Sequence, residues 1–209
     1  MIRPISMVGL AILLAAPLTA QAPADLQMRL DQSTNASDPD DVPDVTLAPA
    51  EGGFQVNTGP AAVVWDPANT ASEQYTLGAT FTLLAPSDHV NYYGLVFGGR
   101  ELEGAAQNYL YFLVAQDGSY IVKHRANDET THDVQGRTSH AAVAQPDANG
   151  TSVNDLEVRV GASELDFVVN DQVVFTAPRQ GMASNTDGIW GVRVNHRIPG
   201  VVVENLGLR

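Results

Sequence analysis

NYYGLVFGGRELEGAAQNYLYFLVAQDGSYIVKHR, residues 91–125, decides the fold. It holds three runs rich in Tyr, Phe, Val, Leu and Ile: NYYGLVFGG, QNYLYFLVAQ and GSYIVKHR. Each is bounded by Gly, Asp, Asn or charge. Aromatic and β-branched residues suit a pleated, half-buried surface, and the bounding residues suit turns, so the stretch predicts three successive β-strands. Side chains of a strand alternate between faces. Leu95, Phe97, Leu110, Phe112 and Val114 therefore share a core face, and Tyr92, Tyr109 and Tyr111 share the other. In SYIVKHR the phase stays open: either Lys123 and Arg125 or His124 join the tyrosines.

Working outward, YTLGATFTLL (75–84) alternates in the same way, with Tyr75, Leu77, Ala79, Phe81 and Leu83 on one face. FQVNT (54–58), AAVVW (61–65), HAAVA (140–144), VNDLEVRV (153–160), ELDFVVN (164–170), GIWGVRVNH (188–196) and VVVENLGL (201–208) are further strand candidates. Asn170-Asp171, between FVV and QVVF, is a hairpin signal, because both residues tolerate positive φ. No long helical pattern appears, and residues 98–107 (GGRELEGAAQ) suit at most a single turn. Many short strands separated by turn residues predict an all-β fold of two antiparallel sheets packed face to face, a jelly-roll sandwich.

The ends and the composition bound the rest. Residues 1–22 have the form of a signal peptide: Arg3, then a short apolar run from Met7 to Ala16, then small residues that allow cleavage after Ala20 or Ala22. The expected address is secreted or periplasmic. Residues 23–52 are rich in Asp, Pro, Ser and Ala and read as an acidic linker, leaving 53–209 as the sandwich domain. There is no cysteine, so neither disulfides nor thiolate chemistry is available, and the domain must rest on its core. Nothing after the signal is apolar enough to span a bilayer. The formal charge of −13 sits badly with nucleic acid or anionic lipid as a partner.

The order of motifs resembles the concanavalin A-like lectin/glucanase superfamily, closest to laminin G-like members and to secreted domains of the 3-keto-disaccharide hydrolase type. The residues that carry the likeness are Gly94 to Phe97, Tyr109 to Val114, Asp117 to Tyr120, Asn154 to Val158, Leu165 to Asn170 and Gly188 to Arg193. The resemblance implies a sandwich over 53–209. It implies little about chemistry, because one fold hosts many functions.

In that superfamily the enzymes that cut β-glucans carry acids spaced Glu-x-Asp-x-Glu on one strand. The nearest match here, Glu164-Leu165-Asp166-Phe167-Val168-Val169, lacks the last acid. Glu164 and Asp166, with Glu101 and Glu103 in GRELEG, are thus only weak catalytic candidates. His124, His132 and His140 are evenly spaced but lack the close pairing that zinc favours. Asp147 to Thr151 resembles part of a calcium loop without its closing acid, and Asp38, Asp40, Asp41 and Asp44 lie in the linker. No cofactor is therefore expected, with calcium left open.

The stronger candidate is a binding face. Tyr92, Tyr109 and Tyr111 can stack on a sugar, while His124, Arg125, Arg193, Asn195 and His196 can hydrogen-bond its hydroxyls. The sequence predicts a module that binds a glycan or other small extracellular ligand. The alternatives are a glycoside-cleaving hydrolase and a protein-interaction scaffold.

Overall fold

Fourteen strands carry the regular structure of the computed structural model, which describes residues 25–31 and 43–209. They are β1 (Gln27–Asp31), β2 (Thr46–Ala50), β3 (Gly53–Asn57), β4 (Ala61–Ala71), β5 (Tyr75–Leu83), β6 (Tyr92–Arg100) and β7 (Asn108–Ala115). There follow β8 (Ser119–Arg125), β9 (Thr131–Ser139), β10 (Ser152–Val160), β11 (Glu164–Val169), β12 (Gln172–Pro178), β13 (Gly188–Val194) and β14 (Val201–Leu208). The only helical element among the described residues is a 3-10 turn at Gly181–Ser184. No helix among them is long and apolar enough to cross a membrane.

The strands form two seven-stranded sheets, ordered β1-β4-β13-β6-β7-β8-β9 and β12-β11-β10-β5-β14-β3-β2. All neighbours are antiparallel, and the sheets pack face to face as a jelly-roll sandwich. Leu77, Ala79, Phe81 and Leu83 of β5 meet Leu95, Phe97, Leu110 and Phe112 of β6 and β7 in the core, as alternation predicts. Aromatic rings tie the layers together. Phe167 of β11 stands edge-on to Phe112 with ring centroids 5.2 Å apart, and lies 6.3 Å from Phe97.

The first sheet is apolar on its outer face as well. Val63, Trp65, Val96, Leu102, Tyr109, Tyr111, Leu113 and Ile121 form a second buried cluster there. The phase of β8 follows: Tyr120 and Val122 enter the main core, so Ile121, Lys123 and Arg125 share the outer face with the tyrosines.

Several expectations differ from the structure. The stretch read as a linker supplies β1, which pairs with β4, and β2, which pairs with β3. Backbone hydrogen bonds to an existing edge order a strand without an apolar sequence. HAAVA is a turn, in which His140 Nδ1 and its carbonyl accept the amides of Ala142 and Val143. Polar β9 carries no hydrophobic alternation and was not foreseen. The signal-peptide residues, with Asp38, Asp40 and Asp41, lie outside the described residues.

Candidate functional site

Arg193 is the centre of the outer face. It lies on β13, opposite Val63 of β4 and Gly94 of β6. A Cβ at Gly94 would stand 2.4 Å from the Phe112 carbonyl, so the close approach of β6 to β7 requires glycine.

A guanidinium that is only 8% exposed must be paired, and Arg193 is. Its Nη1 donates to Asp31 of β1 and, at 2.8 Å, to the Tyr109 hydroxyl. Its carbon sits 5.6 Å from the Tyr111 ring centroid, within cation–π reach. Asp31 also accepts from Arg29 Nε at 3.1 Å, and Arg29 continues to Asp128. Burial pushes the Asp31 carboxyl upward, but the charge and hydrogen bond of Arg193 outweigh it, with Arg125 and Arg29 adding. Its pKa ends below the ordinary 3.8. Burial opposes the charge on Arg193 as well, yet Tyr109 and Asp31 raise its pKa. Burial pushes the Tyr109 phenol up to about 12.

Beside Arg193 opens a cavity of about 420 Å³, lined by Tyr92, Tyr111, Ile121, Lys123, Asp133, Arg137, Arg193 and Asn195. Lys123 and Asp133 face each other across β8 and β9 with Nζ and Oδ1 3.0 Å apart. Arg137 reaches out of the cavity to Asp117, which also accepts from Ser119 Oγ at 2.6 Å. Burial works against the Asp117 charge, but the Ser119 and Arg137 hydrogen bonds hold its carboxyl low. Ser119 Oγ lies 3.0 Å from the Tyr92 hydroxyl and links that ring to the same chain. The side-chain oxygen of Asn195 is buried without a hydrogen-bond partner.

The eight expected ligand contacts therefore separate. Tyr92, Tyr111, Arg193 and Asn195 line one cavity. Tyr109, with no exposed surface, lies beneath Arg193 and supports it rather than facing a ligand. Arg125 shares the face but braces the hairpin, donating to the Asp128 carbonyl at 2.6 Å. His124 points to the other side of β8, where Nε2 lies 3.1 Å from Asn108 Oδ1 and the ring stacks on His132. Burial and His132 lower its pKa. His196 is paired outside the cavity lining, with its Nε2 3.0 Å from that of His89.

Of the two alternatives left open on β8, the structure selects Lys123; Ile121, Asp133 and Arg137 are additions to the expected set, and the phase of β8 accounts for Ile121. Asp133 and Arg137 stand on polar β9, whose register against β8 shifts at irregularities around Val122, so alternation gave no signal.

The acids weighed for catalysis do not reach this cavity. Glu101 and Glu103 line a separate one of about 280 Å³ beside Trp65. Glu164 and Asp166 line another of about 390 Å³ near Arg159 and Arg209, and Asp166 accepts from Thr176 Oγ1 at 2.6 Å. The Asp147 carboxylate is engaged by the amides of Asn149 and Thr151, as in a turn. Among the described residues no group of three or more His, Cys, Asp or Glu could hold a metal ion.

No family model and no curated protein matches the sequence. Solved structures match the fold. The carbohydrate-binding module CBM66 from Bacillus subtilis superposes with a TM-score of 0.58 at 13% identity, over 79% of this chain and 92% of that one. An alginate lyase superposes with a TM-score of 0.53 at 12% identity, over 88% of this chain and 94% of that one. At such identities the likeness carries the architecture: this chain has the two-sheet jelly-roll sandwich of those proteins.

Proposed function

We propose that the chain is a secreted or periplasmic carbohydrate-binding module whose ligand occupies the cavity beside Arg193. The observation that carries this reading is the convergence of Tyr92, Tyr111, Arg193, Lys123 and Arg137 on one cavity. Sugar hydroxyls both donate and accept. The cations and the Tyr92 hydroxyl supply donors, Asp133 supplies an acceptor, and the Tyr92 ring supplies an apolar edge. A volume of about 420 Å³ falls in the range of small-ligand pockets. The fold shared with a carbohydrate-binding module supports the same reading, as do the motifs that resemble laminin G-like and 3-keto-disaccharide hydrolase-type domains.

The test is a glycan-array screen of the chain from residue 23 on, with and without calcium, followed by calorimetry on each hit. Binding that Tyr92→Ala weakens by about tenfold is expected, from the loss of a ring that packs on the sugar. Absence of binding to every sugar by the folded protein overturns the proposal. Turnover of a bound sugar replaces it with the hydrolase reading, for which Glu101, Glu103, Glu164 and Asp166 are the first acids to substitute.

A further inference from the structure

We infer that the sugar read by this cavity is acidic, carrying a carboxylate or sulfate that Arg193 and Arg137 hold. This inference rests on the carbohydrate-binding reading and goes beyond it in naming the ligand's charge.

The chain has 11 Lys and Arg against 24 Asp and Glu, so a random surface patch should be acidic. The cavity instead gathers three cations, Lys123, Arg137 and Arg193, around a single carboxylate, Asp133. The two arginines are held from behind. Asp31 takes Arg193 and Asp117 takes Arg137, and neither carboxylate lines the cavity. Among the described residues, every hydrogen bond of Arg193 leaves from Nη1, and that of Arg137 leaves from Nη2. A guanidinium has five donors in a planar fork, so each arginine keeps free N–H groups after its anchor is satisfied.

The remaining pair differs. Lys123 and Asp133 close on each other at 3.0 Å, with side chains 30% and 59% exposed. Such a solvated pair is weakly held and can open when a ligand anion approaches Lys123. Fixed forks for an anion beside the Tyr92 ring describe an acidic sugar unit. A neutral sugar would offer those donors only uncharged hydroxyl oxygens, which are weaker acceptors than an anion.

The anion has two chemical sources, and calorimetry on matched pairs separates them. The probes are an oligogalacturonate against its carboxyl-reduced counterpart, and a sulfated dextran oligosaccharide against the unsulfated one. The expected result is at least about tenfold tighter binding of one acidic member over its neutral match, the difference that one charge-assisted hydrogen bond supplies. Arg137→Gln should erase most of that preference. Its side chain is 61% exposed, so the fold should persist, and the thermal melt checks that it does. Equal or tighter binding of the neutral members overturns the acidic-sugar inference and leaves carbohydrate binding standing. A preference for acid that Arg137→Gln and Lys123→Gln both leave unchanged also overturns it, because the anion then binds elsewhere. Failure of all four probes, with no hit on the full array, overturns both readings.

Discussion

Asp31 concentrates the energetics of the site in one carboxylate. It is the charge partner of Arg193, and the two side chains are 7% and 10% exposed. Removing one member of such a pair leaves the other charge buried and unmatched. Asp31→Asn is expected to destabilise the fold by about 3 kcal/mol in urea unfolding. Asp31→Asn with Arg193→Met should recover much of that loss, because the stranded charge goes with its partner. The pH dependence has a definite sign. The folded pKa of Asp31 lies below the ordinary 3.8, so its contribution is complete above that value and is lost as pH falls through the folded pKa. Stability measured against pH should therefore fall below pH 4 in the native chain. In Asp31→Asn it should fall less steeply there. Tyr109 gives the opposite lesson: an aromatic that reads as a ligand platform in the sequence is the packed support of the arginine above it.

At the scale of elements, β6 and β9 determine the cavity in different ways. β6 sets the strand spacing beneath it. Gly94 is the residue opposite Arg193, and its absent side chain is required by the Phe112 carbonyl. Gly94→Ala forces backbone to shift and should cost about 1–3 kcal/mol, read as a lowered urea midpoint. Binding should weaken along with it, because the β6–β7 spacing under Tyr92 and Tyr111 changes. β9 supplies Asp133 and Arg137 without any hydrophobic pattern of its own. β1 does the same for Asp31, from sequence that reads as linker. Both are edge strands of the first sheet, ordered by backbone pairing to β8 and β4. Strands of that kind leave little trace in composition, so the roles of Asp31, Asp133 and Arg137 were invisible until the pairing was known.

Over the whole molecule, stability rests on packing, since the chain has no cysteine for a covalent staple. Phe167 is the junction of the two layers, with ring contacts to Phe97, Phe112 and Phe175. Phe167→Ala should cost about 3–5 kcal/mol in urea unfolding, the range for deleting a fully packed aromatic. An unchanged midpoint would mean that the sheets are held together elsewhere. Packing also explains how the outer face of the first sheet can present a polar cavity at all. Its floor is a second apolar cluster, and the charged groups stand on that floor rather than in the main core.

The sequence by itself determined the all-β class, most strands and the division of β5, β6 and β7 into faces. Alternation is a local property of period two, and it survives whatever the strand pairs with. It also placed Tyr92, Tyr111, Arg193 and Asn195 on one side of their strands. Only the tertiary structure decided that Tyr109 is buried, that His124 turns away, and that Lys123, Asp133 and Arg137 complete the cavity. Those facts depend on which strands become neighbours and on the shifted register between β8 and β9. Both are set by contacts between residues far apart in the chain, and no period within one strand encodes them.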